Sequence, residues 1–225
     1  MTDHILHLGQ AGIPVPPYRS QWDTDAGRFA SDCGPACLGM ILDWVGIFGK
    51  VPIDQIALLS NQVAHPGYTL PGDLIKAAVQ LGVKIKRVLN LSLEALRAET
   101  MRDRRPLIVL VHYGTLRALP TQDQKFSGGH WLVVFAIDAD FVYVNDPNWR
   151  DARRDQGCGL RIPVKMFEQA MSDCVLDGNT RNQGLMIDLP DLPEWAEPVT
   201  PRRIRAGETL KIERMDRGLD VGLVE

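Results

Sequence analysis

No apolar run in this 225-residue chain approaches the roughly 20 residues that a helix needs to cross a bilayer. The opening MTDHILHLGQAG also lacks the basic segment, long apolar core and cleavage site of an export signal. A membrane partner is therefore not expected, and the chain reads as cytosolic. Basic residues form no long block and the formal net charge is −3, so the electrostatic footprint that holds nucleic acid phosphates is missing. Four cysteines, Cys33, Cys37, Cys158 and Cys174, are better read as thiols than as a disulfide framework when no export signal precedes them. There is no phosphate-loop motif, internal repeat or low-complexity tract. What is there is an ordinary globular composition, 45% hydrophobic and 24% charged. It suffices for one sizeable core, or a core with a small appendage.

Residues 1–18 hold Pro14, Pro16 and Pro17 and little periodicity, which predicts an extended arm with His4 and His7 solvated. CGPACLGMILDWVG follows, with Leu38, Ile41, Leu42 and Val45 at helical spacing, Pro35 in the first turn and Gly46 at the close. This is a buried helix that begins near Cys33. A second helix is predicted over 71–81, with Asp73 as its cap, and a third after Ser92. The runs PLIVLV, HWLVVFAI and FVYV are short, β-branched and aromatic, and read as strands of a mostly antiparallel sheet. A helix near 164–171 and a strand near 184–189 complete a domain over 1–189. Pro190, Pro193, Pro198 and Pro201 then mark a linker, and 190–225 is expected to form a small β extension.

Cys33 sits where unpaired backbone N–H groups and the positive end of the helix dipole favour a thiolate. Gly34 is expected to leave room for a substrate backbone beside the sulfur, and Asp32 to be engaged as the helix cap. Cys37, one turn on, is expected to pack in the core. His130 opens the strand WLVVFAI after Gly128 and Gly129, and the returning strand FVYV leads into Asn145, Asp146 and Pro147. A turn centred on Asp138 or Ala139 sets His130 opposite Asp146 or a residue or two beyond it, on one face. Asp138 and Asp140 lie at the far end of that hairpin, and Asn145 should face the other way. Asp146 is thus the preferred partner of His130.

Taken singly, each of these residues has an ordinary structural use: a packed cysteine, a hydrogen-bonded strand-end histidine, an Asp-Pro turn. Together they fit one chemistry. A carboxylate that fixes the imidazole tautomer leaves the other ring nitrogen to take the thiol proton, giving a nucleophile, its base and an orienter.

Gln21, DCGPACLGMIL and GGHWLVVFAIDADFVYVNDP resemble the cysteine peptidases of the double-glycine, bacteriocin-processing type and their stand-alone relatives, within the papain-like group. The likeness runs from about Val15 to Met171. It implies an α+β papain-like cysteine proteinase fold whose N-terminal helix bears the nucleophile and packs on the sheet. It also implies Cys33 as nucleophile, His130 as base and Asp146 as orienter. Gln21 becomes a donor to the oxyanion hole, beside the Cys33 backbone N–H. The implied partner is a peptide or protein substrate.

Other readings are a catalytically idle binding module, a peptidoglycan amidase or an acyltransferase using the same groups. A zinc site is not expected, because CxxxC on a helix is no zinc knuckle and Cys158 and Cys174 have no local pairing. No cofactor is expected either. His112, Tyr113 and Trp131 are candidates for cleft walls or for strand-end packing, His65 for a loop, and the pairs Arg104, Arg105 and Arg153, Arg154 for solvated surface. Substrate specificity and oligomeric state do not follow from the pattern.

Overall fold

The computed structural model describes residues 13–27, 31–46, 50–60, 67–119, 125–176 and 179–188, and the backbone of 209–215 and 218–224. The chain divides into two compact units, Met1–Pro190 and Asp191–Glu225. His4, His7, His65 and the prolines at 190, 193, 198 and 201 lie outside the described residues.

In the first unit the elements run α1 (Cys33–Val45), α2 (Ile53–Leu59), α3 (Pro71–Gln80), β1 (Ile85–Val88), α4 (Leu93–Arg97), β2 (Leu107–His112), β3 (Gly129–Ile137), β4 (Phe141–Asn145), β5 (Leu160–Pro163), α5 (Val164–Asp173) and β6 (Gly184–Ile187). A π-helical turn, Ala98–Arg102, and two 3-10 turns, Tyr113–Leu116 and Asp151–Gly157, fill connections. The strands form one six-stranded sheet in the order β1-β6-β2-β3-β4-β5. Every pair in it is antiparallel.

The sheet is covered on both faces, which is why its central strands read as unbroken apolar runs rather than alternating ones. Side chains alternate across a strand, so Ile108, Leu110, Trp131 and Val133 meet Leu38, Ile41 and Leu42 of α1 and Leu74 and Ala78 of α3. Leu107, Val109, Val111, Leu132 and Val134 meet Leu96 of α4 and Phe167, Ala170 and Met171 of α5 on the opposite side.

The expected helices start and stop for identifiable reasons. Gly46 closes α1 in the left-handed conformation at φ 69°, its N–H bonded to the Leu42 carbonyl. Asp73 serves α3 from inside the first turn, accepting the Leu70 N–H at 3.1 Å. Ser92 caps α4 by accepting the Ala95 N–H at 3.1 Å. The sequence reading did not include α2, β1 or β5. Each is short, and β1 (IKRV) and β5 (LRIP) interleave charge with apolar residues. The second unit contains a two-stranded antiparallel sheet, β7 (Thr209–Met215) and β8 (Gly218–Val224), with Thr209 opposite Val224 and Met215 opposite Gly218.

A buried guanidinium ties the chain before α1 to α1 itself. Arg19 is 1% exposed, and its Nε donates to Asp43 Oδ2 at 2.7 Å while Nη1 bonds the Val51 carbonyl. Gly39 is where this side chain crosses the helix, since a Cβ there would stand 3.0 Å from Arg19 Nη1. Removing one partner of a buried pair strands the other's charge. Asp43→Ala is therefore expected to lower unfolding stability by on the order of 3 kcal/mol in urea titration. An unchanged midpoint would mean that the pair carries no such weight.

Candidate active site

Cys33 is the first residue of α1 and is half-buried. The start of that helix is wedged against β3. Pro35 and Gly34 are buried, and a Cβ on Gly34 would meet Thr69 at 3.1 Å, Trp131 at 3.2 Å and Leu74 at 3.3 Å. Gly34 thus admits the protein's own side chains and not a substrate backbone, a correction to the sequence reading. Asp32 is corrected too: its side chain makes no capping hydrogen bond, and its carbonyl accepts the Ala36 N–H at 2.8 Å. Trp131 completes the wedge, donating its indole N–H to the Thr69 carbonyl at 3.0 Å, while its own carbonyl accepts from the Cys37 thiol at 3.3 Å.

His130 pairs with Val111 of β2, in the stretch of β3 that runs past the end of β4. Next to the hairpin turn Ile137 faces Val142, but an irregularity between Val134 and Ala136 changes the register, so that Val133 faces Asn145. Continued past Asn145, that register brings His130 and Asp146 to the same face, one step apart on the diagonal. There His130 Nε2 meets Asp146 Oδ1 at 2.7 Å, with the residues 2% and 1% exposed. Cys33 lines the same cleft as His130, near enough to act on the imidazole. Asn145 is turned away, donating to the Pro16 carbonyl at 2.9 Å and accepting the Gly159 N–H at 3.0 Å.

Burial by itself would lower the His130 pKa. The Asp146 charge and hydrogen bond, with the contacts to Cys33, outweigh burial and push the imidazole up from 6.5 to about 10. Burial, with the charges of Cys33 and Asp146, pushes Cys37 well up; burial raises Cys158 as well and takes Cys174 to about 11.

The carboxylate of Asp146 sits in a network the sequence reading did not contain. Oδ1 also accepts the Asn148 N–H at 2.9 Å, and Oδ2 accepts the Trp149 indole N–H at 3.0 Å. The segment carrying Gln21 is clasped to this loop. Tyr18 Oη donates to the Asp146 carbonyl at 2.9 Å, the Gln21 N–H to the Pro147 carbonyl at 2.9 Å, and Trp22 Nε1 to Asn148 Oδ1 at 3.0 Å. Arg154 closes the clasp with two bonds to Asp23, at 2.6 and 2.7 Å, over the Tyr18 ring. Arg153 lies over Trp149. Arg153 and Arg154 therefore brace the site, where the sequence reading had them as solvated surface. The signal for this was the NWRDARR run after Asp146-Pro147.

These groups open onto a cleft of about 540 Å³ lined by Gln21, Cys33 and His130, with Trp22, Tyr68, Phe126 and Trp131 among its walls. Trp131 is thus a wall. Tyr113 lies behind, edge-on to His130 at 4.7 Å between centroids, and His112 bonds Thr115 at 3.1 Å. Among the described residues no group of three or more His, Cys, Asp or Glu could hold a metal ion, and no helix is long and apolar enough to cross a membrane.

A helix that presents a thiol at its first residue, packed on an antiparallel sheet that supplies the imidazole, is the α+β fold of the papain-like cysteine peptidases. Residues 14–169 match the Peptidase_C39 like family, and the chain belongs to that family of cysteine peptidases. A solved C39-like peptidase from Bacillus anthracis has the same fold, at 18% identity and TM-score 0.54, over 77% of this chain and 96% of that one. The double-glycine motif protease of an AMS/PCAT transporter, solved with its leader peptide, is 20% identical over 78% of this chain and 91% of that one, TM-score 0.49. The peptidase domain of Streptococcus ComA is 18% identical over 75% and 95%, TM-score 0.48. No curated protein matches the chain significantly.

The raised imidazole has a consequence for stability. A proton held more tightly in the folded state contributes stability in full below about pH 6.5, and that contribution is lost as the pH rises through about 10. The difference in unfolding free energy between the wild type and His130→Gln is expected to be level below about pH 6.5 and to fall steadily between there and about pH 10. A difference that stays level across that window contradicts the charged pair.

Proposed function

We propose that the chain hydrolyses a peptide or related amide bond through a thioester on Cys33. The observation that carries this reading is that Cys33 and His130 line one cleft while Asp146 bonds His130 Nε2 at 2.7 Å from behind. His130 takes the thiol proton, and the thiolate attacks the substrate carbonyl. The tetrahedral intermediate collapses as His130 returns that proton to the leaving amine, so the C–N bond breaks and the thioester remains. Water, deprotonated by His130, then attacks the thioester. The acid leaves and the Cys33 sulfur recovers its proton. Asp146 holds the imidazole in the tautomer and orientation this needs and stabilises its charged form.

Gln21 is proposed as a donor to the oxyanion, paired with the Cys33 backbone N–H. It is 3% exposed, it lines the cleft, and its main chain is bonded to the loop after Asp146. A donor fixed in advance of the reaction stabilises developing charge without reorganising. The partner is a peptide or protein substrate. A relative at low identity was solved with a leader peptide, which accords with this. The free thiols suit a reducing compartment, and we place the reaction in the cytosol.

Cys33→Ala is expected to abolish turnover of a peptide library while leaving the unfolding midpoint nearly unchanged. Retained turnover would refute the assignment, and loss of the fold would return Cys33 to a packing role. Gln21→Ala is expected to lower kcat by roughly 10²–10³-fold, the size found when an oxyanion donor is removed. A wild-type kcat in that variant would exclude Gln21 from the oxyanion hole. Should the wild type itself show no turnover while binding peptides, the chain would be an idle binding module. Release of a cell-wall amide, or transfer to an acceptor other than water, would mark an amidase or acyltransferase.

A further inference from the structure

The loop after β4 holds one buried aromatic that the reaction above does not use. Trp149 is 1% exposed and is not among the residues that line the cleft. Its indole N–H points at Asp146 Oδ2, 3.0 Å away. The other oxygen of that carboxylate, Oδ1, is shared by His130 Nε2 at 2.7 Å and the Asn148 N–H at 2.9 Å. The two oxygens of a free carboxylate are interchangeable by rotation about the Cβ–Cγ bond. Here each has its own donor, and the plane of the group is fixed.

The indole is itself held on several sides. The main-chain carbonyl of Trp149 accepts from the Ser20 hydroxyl, and the Arg153 guanidinium lies 4.7 Å over the ring. Residue 157 has to be glycine for the ring to fit, because a Cβ there would overlap the Trp149 ring, the Tyr18 hydroxyl and the Asp146 carbonyl. A side chain anchored this firmly is a donor of fixed direction, which is what orienting a carboxylate requires.

We propose that Trp149 is a positioning residue of the peptidase reaction: its indole N–H sets the plane of the Asp146 carboxylate and, through it, the orientation of the His130 ring. This rests on the reading of Cys33, His130 and Asp146 given above. Without the N–H, Oδ2 is a buried acceptor lacking that donor, and the carboxylate can turn. The imidazole then spends part of its time misaligned with the thiol, and misalignment of about 1 Å can cost 10²-fold in rate. Because Trp149 stands behind the cleft, the loss falls on kcat and leaves KM nearly unchanged.

The test compares the wild type, Trp149→Phe and Cys33→Ala, with kcat and KM on a peptide substrate and the low-field proton resonance of the His130–Asp146 hydrogen bond by NMR. Phenylalanine keeps most of the ring and removes the donor. The expected result is a roughly 10–100-fold fall in kcat at similar KM, with the low-field resonance shifted or broadened. Wild-type kcat, or an unmoved resonance, in folded Trp149→Phe overturns the role of Trp149, while an inactive Cys33→Ala in the same experiment leaves the peptidase reading standing. An active Cys33→Ala overturns both. If Trp149→Phe does not fold, the indole N–H signals of the 15N-labelled wild type and Asp146→Asn decide. The Trp149 signal should lie downfield of the other indoles and move when the carboxylate is replaced; a signal indifferent to that change overturns the proposal.

Discussion

A carboxylate and an imidazole removed almost wholly from water, 2.7 Å apart, are the constraint around which this domain is arranged. Burying either alone is costly, because neither charge has solvent to fall back on. The structure meets that cost by giving every oxygen of Asp146 a donor. Backbone N–H groups, an indole and a phenol converge on a stretch of four residues, Asp146–Trp149. Tyr18 remains a neutral donor there, since burial and the Asp146 charge both push its pKa upward.

The same four residues receive the chain that precedes α1. Tyr18, Ser20, Gln21 and Trp22 all bond to Asp146–Trp149, and Arg19 between them bonds to α1. One short segment therefore joins the helix of Cys33 to the loop of Asp146, with Gln21 at its middle. Arg154 and Asp23 lock the outer end. Burial raises the Asp23 pKa, but the bonds from Arg154 and Ser20 outweigh it and hold the carboxyl below its usual range. Such mutual fixing lets groups far apart in sequence keep their relative positions without a ligand.

Much of this was legible in the residues. The boundaries of α1 and α3 follow from Pro35, Gly46 and the helical spacing of apolar positions. The faces of His130 and Asp146 follow from strand alternation and a hairpin centred near Ala139. What was not legible depends on tertiary neighbours. Gly34 looked like room for substrate because nothing in CGPAC says that Thr69 and Trp131 fill the space. Arg153 and Arg154 looked like solvated charge because Trp149, Tyr18 and Asp23 become their partners only when the clasp closes. The irregularity near Phe135 and the short strands β1 and β5 carry no strong local pattern.

The central claim is that a carboxylate-held imidazole makes Cys33 a nucleophile. The most direct measurement is the rate of iodoacetamide alkylation at Cys33, read by mass spectrometry across neutral pH, in the wild type and in His130→Ala. The account predicts fast, selective modification of Cys33 in the wild type, and in the variant a slower rate that climbs with pH like that of a free thiol, whose pKa is near ~8.5. Identical rates and pH profiles in the two proteins would contradict it.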